Sequence, residues 1–259
     1  MIYLKTEEEI ELMRACNILA AKTLGELAKW IEPGVTTGKL NQLADTFIRD
    51  HSGVPGFLNY KGFPKSICTS VNEQVVHGIP NDNPLKEGDI VSVDCGILLN
   101  GFYGDSAYTF EIGKVTSEIK KLLEITKEAL YKGIAEAIEG KRVGDIGYAI
   151  QTHCEKEGYS VVRELVGHGV GRQLHEDPSI PNYGRRGYGS KLRKGMVIAI
   201  EPMINLGNKD VLQEQDGWTV RTADKSVSAH YEHSVVVGKK EAEILSSFEY
   251  VEKVLTSKS

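Results

Sequence analysis

The chain has 259 residues, 41% hydrophobic and 26% charged, with 31 basic against 36 acidic side chains and a net charge of −5. This is the composition of an ordinary globular protein with enough chain for a sizeable core, and it argues against a dedicated nucleic-acid binder, which would present a basic face. The sequence contains no run of about 18 apolar residues that could span a bilayer, so no membrane role is expected.

Met1 to Thr6 is too short and too soon charged for a signal peptide. Four scattered cysteines, Cys16, Cys68, Cys95 and Cys154, form no C-x-x-C pair and fit a reducing compartment. The expected location is cytoplasmic. Thr6-Glu7-Glu8-Glu9 reads as a capping box. Behind it Ile10, Met13, Ala20, Leu24, Leu27 and Ile31 recur at helical spacing until Pro33-Gly34. A second helix is predicted from near Thr37, with Leu40, Leu43, Ala44, Phe47 and Ile48 on one face, ended by Gly53. Ser66 to Val71 alternates like a strand, and Val75 to Pro80 reads as a strand entering a turn. Ile90 to Asp94 is a strand of β-branched residues ended by an acid. Asn100-Gly101 then marks a hairpin whose return, Phe102 to Phe110, carries Asp105.

The second half opens the same way. Thr116 or Ser117 caps a helix with Ile119, Leu122, Leu123, Leu130 and Ile134 inward, and a shorter helix with Ile146, Ala149, Ile150 and Cys154 stops at Gly158. A strand from Tyr159 to Val166, a glycine-punctuated loop Gly167-His168-Gly169-Val170-Gly171, and a strand ending in Glu201-Pro202 follow. Two more strands, Trp218 to Thr222 and His230 to Val237, complete the half, the last carrying Glu232. Leu85 to Gly96 and Leu192 to Met203 share Leu, Gly and an acid at the same offsets, 107 residues apart, and an offset of about 106 superposes the helices. That is an internal duplication. It predicts an α+β fold of one domain, residues 1–259, built of two related halves (about 6–112 and 113–250), with helices over one face of a mostly antiparallel sheet.

The duplication also predicts a site. Asp94 is equivalent to Glu201, and the return strands bring Asp105 beside Asp94 and Glu232 beside Glu201. Four converging carboxylates could not all stay ionised unpaired. Two divalent cations would resolve this, with His168 as a fifth ligand. Taken singly, each residue has a plainer reading: Asp94 as a strand-end acid, Asp105 as turn chemistry, Cys68 and Cys95 as small hydrophobes, His153 as a packed or surface histidine. His233 points away from Glu232, and His51 lies in a loop with no role assigned. Only as a set do the carboxylates escape those readings.

Asp94, Asp105, His168, Glu201 and Glu232, spaced by 11, 63, 33 and 31 residues, resemble the type I methionine aminopeptidases. So do the strings Val-Asp-Cys-Gly, Gly-Asp-Ser, Gly-His-Gly-Val-Gly, Ile-Glu-Pro-Met and Tyr-Glu-His-Ser, and the resemblance runs from Thr6 to about Val237. It implies the pita-bread fold and the bacterial form of the enzyme, without a type II insertion or a zinc-binding N-terminal region. By resemblance, Asp94, Asp105 and Glu232 hold one divalent metal, and Asp105, His168, Glu201 and Glu232 the other, with Co, Mn, Fe, Zn or Ni compatible with the donors. Two such metals can share a bridging water and lower its pKa, and Glu201 would relay its proton. His77 would contact the substrate amide, His175 would stabilise the oxyanion, and Tyr60, Phe63, Cys68 and Trp218 would line the methionine pocket. Read from the residues alone, the four lining side chains are equally plain core. The resemblance also implies a monovalent cation near Asn72 and Ser228. Phe57 and Leu174 stand at the pocket rim where some bacterial members carry Cys and Phe, which leaves the tolerance for the second substrate residue open.

The expected activity is removal of the N-terminal methionine from nascent polypeptides with a small second residue. The expected partners are that methionyl chain and the ribosome, for a monomer. Two alternatives remain at this point: another pita-bread peptidase (prolidase or aminopeptidase P), which usually carries an extra N-terminal domain, and a non-catalytic binding paralogue, which would typically have lost ligands.

Overall fold

The computed structural model describes residues 2–258. Two helix pairs lead the two halves: α1 (Glu7–Ala28) with α2 (Thr37–Asp50), and α3 (Ser117–Ile134) with α4 (Val143–Lys156). Their starts are chemically fixed. Thr6 Oγ1 accepts from Glu9 N–H at 3.2 Å while the Glu9 carboxylate accepts from Thr6 N–H. Thr36 and Thr116 accept likewise from Lys39 and Ile119 N–H. Each satisfies a backbone donor that a helix start leaves orphaned. Between Thr116 and Ser117, the residue that caps α3 is therefore Thr116. α2 and α4 are both 14 residues long, and Thr37 to Val143 is the same 106-residue step as Asp50 to Lys156.

The strands in chain order are β1 (Val54–Pro55), β2 (Cys68–Val71), β3 (Gln74–Val76), β4 (Ile90–Leu99), β5 (Phe102–Glu111), β6 (Ser160–Val161), β7 (Gly167–Gly169), β8 (Glu176–Ile180), β9 (Val197–Ile200), β10 (Met203–Asn205), β11 (Val211–Gln213), β12 (Val220–Thr222), β13 (Ser228–His230), β14 (Glu232–Val236) and β15 (Glu243–Ile244), followed by α5 (Glu249–Lys258). Nine of them form one sheet in the order β1-β4-β5-β14-β9-β7-β8, with β2 on β4 and β15 on β14. Two three-stranded sheets, β13-β10-β6 and β11-β12-β3, flank it. Every pairing between named strands is antiparallel. The return strands β5 and β14 pair with each other at the centre, so the two halves meet along the line that carries Asp105 and Glu232.

Strand alternation divides the sheet's faces. Val91, Val93, Cys95 and Ile97 of β4, with Ile198 and Ile200 of β9, pack into a large core with Leu24 and Leu27 of α1, Leu40 and Ile48 of α2, Leu130 of α3 and Ile146 of α4. The intervening positions carry Ser92 and Asp94 to the other face. α1 in addition packs Ile10, Met13 and Cys16 against Phe102, Val197, Ala199 and Val236, beyond the two residues over which β5 and β14 pair. The duplication reaches individual hydrogen bonds. Gly88 and Gly195 occupy equivalent turns at φ +90° and +85°, and their N–H groups donate to Ile112 and Val237, the residues that close the two return strands. Glycine adopts that left-handed backbone without steric cost.

Several expectations need correction. Asp94 sits in the middle of β4, not at its end, because the hairpin continues in register from Ile90↔Glu111 to Leu99↔Phe102. The strand entered at Val75 stops at Val76, since His77 is left-handed at φ 60°. The predicted strand Tyr159 to Val166 shrinks to β6, and Trp218 to Thr222 to β12. Gly167 to Gly169, read as loop, is β7. His230 to Val237 is broken at Tyr231 into β13 and β14, which pair with different partners. β8, β10, β11, β15 and α5 carry short or mixed patterns that gave no sequence signal.

Candidate metal centre

Register alone builds the site. Cys68 pairs with Asp94, Asp94 with Ala107, and Ala107 with Glu232. His233 pairs with Ile200, so one further step places Glu232 across from Glu201, immediately beyond β9. One row across five chain segments therefore reads Cys68, Asp94, Ala107, Glu232, Glu201, all on one face. Ala107 leaves the middle of the row open, and Asp105, two residues away on β5 and opposite Gly96, leans into that space. Pairing of Gly169 with Ile198 sets His168 beside Ala199, on the same face as Glu201. Pro202, which has no N–H to donate, follows Glu201 at the strand's end.

The backbones behind these side chains are tied. Asn17 Oδ1 accepts from Asp105 N–H at 3.2 Å, and Ser234 Oγ donates to Asp105 O at 2.9 Å. Ser106 Oγ donates to Glu232 O, and Asn182 Nδ2 to Glu201 O. Facing inward, Asp105, His168 and Glu232 offer ligand atoms within 4.8 Å of one another. His168 Nε2 lies 3.5 Å from Glu201 Oε1 and 3.9 Å from Asp105 Oδ2, and its Nδ1 contacts Gly169 O at 2.9 Å, which fixes the ring with Nε2 towards the acids.

The electrostatics are those of an uncompensated site. Burial pushes the carboxyls of Asp94, Asp105, Glu201 and Glu232 upward, and mutual repulsion raises Asp105, Glu201 and Glu232 further. Asp94 rises to about 7, with a hydrogen bond shared with Asp105 partly offsetting its burial. Burial lowers His168 to about 4, so it stands as a neutral donor. Asp94 Oδ1, Asp105 Oδ1 and Glu232 Oε1 are buried with no hydrogen-bond partner among the described residues. Buried polar atoms are rarely left so. Orphaned oxygens from three carboxylates, a neutral imidazole and a fourth carboxylate fit divalent cations, and the donor set suits Mn, Fe, Co, Ni or Zn rather than a soft thiolate metal.

Above this floor is a cavity of about 320 Å³. Asp94, Asp105, His168, Glu201 and Glu232 line it, together with His77, His175, Tyr60, Phe63, Cys68 and Trp218. Phe57 and Leu174, expected at the rim, join Phe63 and Cys68 in one apolar cluster. Phe63 and Trp218 meet edge to face at 5.2 Å, and Tyr60 stacks on His175 with its hydroxyl 3.0 Å from Nδ1. Burial, then His168, depresses His175 to about 3. Burial lowers His77. Asn72 and Ser228 are adjacent, Ser228 N–H donating to Asn72 O at 2.9 Å. His233 lies on the opposite face, bonded to Ser246 and stacked on Phe248, and His51 caps α2 against Phe47. The sequence reading gives His230 no role beyond opening the last predicted strand. The structure puts its Nε2 3.7 Å from Glu201 Oε2, and its place two residues before Glu232 was the available signal.

Residues 11–239 match the model of metallopeptidase family M24. The chain is 50% identical to the methionine aminopeptidase of Clostridium acetobutylicum and to methionine aminopeptidase 1 of Bacillus subtilis, in each case over 95% of this chain and 99% of the relative. Its fold superposes on the crystal structure of methionine aminopeptidase from Rickettsia prowazekii with a TM-score of 0.94 at 50% identity, covering 95% of this chain and all of that one. A prolidase from Pyrococcus horikoshii matches with a TM-score of 0.74 at 22% identity, with 64% of its length covered, which is a likeness of fold.

Proposed function

The chain belongs to the methionine aminopeptidases of metallopeptidase family M24, and from that premise we propose that it removes the N-terminal methionine from nascent polypeptides with a small second residue. The observation that carries this reading is the union of an apolar, size-limited cavity with a floor of orphaned carboxylate oxygens and neutral imidazole. Asp94, Asp105 and Glu232 would hold one divalent cation, and Asp105, His168, Glu201 and Glu232 the other. Bound there, the pair would supply Lewis acidity and a water of lowered pKa.

The protein's residues do the rest. The methionine side chain enters between Phe63, Trp218, Tyr60 and Cys68, an apolar slot that a charged side chain would enter only at a desolvation cost. Phe57 and Leu174 narrow the rim and restrict the second residue. Glu201 takes the proton of the attacking water and delivers it to the departing amine. His77, held by its left-handed backbone just past β3, reaches the substrate amide. His175, neutral and oriented through Tyr60, donates to the developing oxyanion. A monovalent cation near Asn72 and Ser228 would brace the junction of β2, β3 and β13. We read the enzyme as a cytoplasmic monomer that meets its substrate at the ribosome.

A Met-Ala-Ser peptide offered to chelated and to metal-restored protein tests the reading. Cleavage restored by Mn, Fe, Co, Zn or Ni is expected, with no release from an X-Pro peptide. Cleavage of X-Pro in preference to Met-Ala would transfer the chain to the prolidase side of the fold. Failure of every metal to restore cleavage would leave it a binding paralogue.

A further inference from the structure

Glu201 stands between two imidazoles. Its Oε1 faces His168 Nε2 at 3.5 Å, and its Oε2 faces His230 Nε2 at 3.7 Å. His168 is accounted for as a ligand. His230 is not: it is 1% exposed, and its Nε2 is buried with no hydrogen-bond partner among the described residues. The ring is firmly carried. β13 lies antiparallel on β10 with His230 opposite Met203, two residues beyond Glu201. Thr109 Oγ1 accepts from His230 N–H at 3.0 Å and donates to His230 O at 2.6 Å, and it contacts Ser92 Oγ at 2.8 Å. A histidine clamped at both backbone groups, with an unused ring nitrogen aimed at one carboxylate oxygen, is placed to do something to that oxygen.

We propose that His230 is a positioning residue for Glu201, its Nε2–H donating to Oε2 and so holding the carboxylate plane with Oε1 turned to the His168 side. Closing the present gap to hydrogen-bond range takes about 0.5 Å, and such contacts often tighten only in the loaded site. A carboxylate held from behind keeps its metal-facing oxygen fixed while it carries a proton; left unheld, it rotates about Cγ–Cδ and exchanges the two oxygens. The inference rests on the assignment of Glu201 as ligand and proton carrier.

The test uses three variants of the full chain. His230→Gln places an amide N–H where Nε2–H stands, His230→Asn falls short of it, and His230→Leu fills the space with no donor. Two readouts are taken: the visible absorption band of Co2+-loaded protein with its Co2+ stoichiometry, and kcat and KM on Met-Ala-Ser. Asn and Leu should bind two Co2+, shift the band, and lose kcat by about 10–100-fold, the range for outer-sphere partners of a metal site, with KM within about twofold. Gln should keep both the band and kcat within about threefold. Loss by Gln equal to that of Leu would mean His230 only packs, and an unshifted band with full turnover in Leu and Asn would mean it does nothing; either overturns the proposal. If Leu fails to fold, the Gln–Asn comparison decides. If wild type itself does not cleave Met-Ala-Ser, the aminopeptidase reading fails while the cobalt band still judges His230.

Discussion

Asp105 is the residue on which the most forces converge. It is 3% exposed, lies 3.9 Å from His168, and is raised by burial and by the charges of Asp94 and Glu201. In both proposed ligand sets it is common to the two cations. Asp105→Asn keeps the shape and removes one charge. Bound divalent metal should fall below two per chain, and kcat/KM by more than about 100-fold, beyond what an outer-sphere change gives. The chelated variant should nonetheless be more stable than chelated wild type, by about 1–3 kcal/mol at pH 7.5, because a buried carboxyl with a raised pKa weighs against the fold once the unfolded chain can ionise it. Retention of two tight metals, measured by elemental analysis, or a lower unfolding midpoint without metal, would remove Asp105 from the shared position. His230 marks the limit of residue-level reading. Its alternation with Glu232 was legible, but depth is not written in period 2, and its orphaned nitrogen becomes visible only when Thr109 and Met203 are brought across from other strands.

Among elements, those with local causes were legible in the sequence. α1 to α3 announce themselves through threonine caps and, like α4, through 3.6-residue spacing, and the β4–β5 hairpin through Asn100-Gly101. The short strands β6 to β8 and β10 to β13 were not legible in detail, because two to five residues hold too few periods to separate strand from loop and their pairing is decided by distant partners. Asp94 was misplaced at a strand end for the same reason: the partners β5 and β1, not its own sequence, carry β4 on to Leu99. Register also explains a position that carries no functional group. Gly96 lies on the cavity face of β4 opposite Asp105, and a Cβ there would come within 2.3 Å of Phe57 Cε1. Phe57 is 8% exposed and packed among Phe63, Cys68 and Leu174, so the ring has nowhere to withdraw except into the cavity. Gly96→Ala should cost about 1–3 kcal/mol as overpacking and raise KM for methionyl peptides, with metal content unchanged. Phe57→Leu in the same chain should recover most of both losses, a non-additive pair of the kind contacting residues give. Additive effects would show that Phe57 does not form the wall Gly96 accommodates.

For the whole molecule, the two halves are tied at a centre that opposes folding until it is compensated. The buried imidazoles and the buried carboxyls pull stability in opposite directions with pH. His168 falls to about 4 and His230 and His233 to about 3, below the unfolded value near about 6.5. Their contribution is therefore present above about 6.5 and is lost as pH falls towards those folded values. The carboxyls run the other way. Asp94 at about 7, with Asp105, Glu201 and Glu232 also raised, stand above an unfolded value near about 4. The unfolded chain ionises first, and the stability they lend at low pH is lost as pH rises through their folded values. As pH rises past about 6.5 the unfolded imidazoles lose their remaining protons, so these carboxyls increasingly govern the slope. Chelated protein should lose stability between pH 6.5 and 8, by about 1.4 kcal/mol for each unit over which one net proton separates the two states. Metal-loaded protein should not, because bound cations favour the ionised carboxylates and stabilise only the folded chain, by about 2.7 kcal/mol at a hundred times Kd. Unfolding midpoints with EDTA and with Mn2+ at pH 6.5, 7.0, 7.5 and 8.0 should thus diverge steadily. Parallel curves would mean that the four carboxyls are balanced by the protein itself and need no cation, and the site would lose its physical reason for binding one.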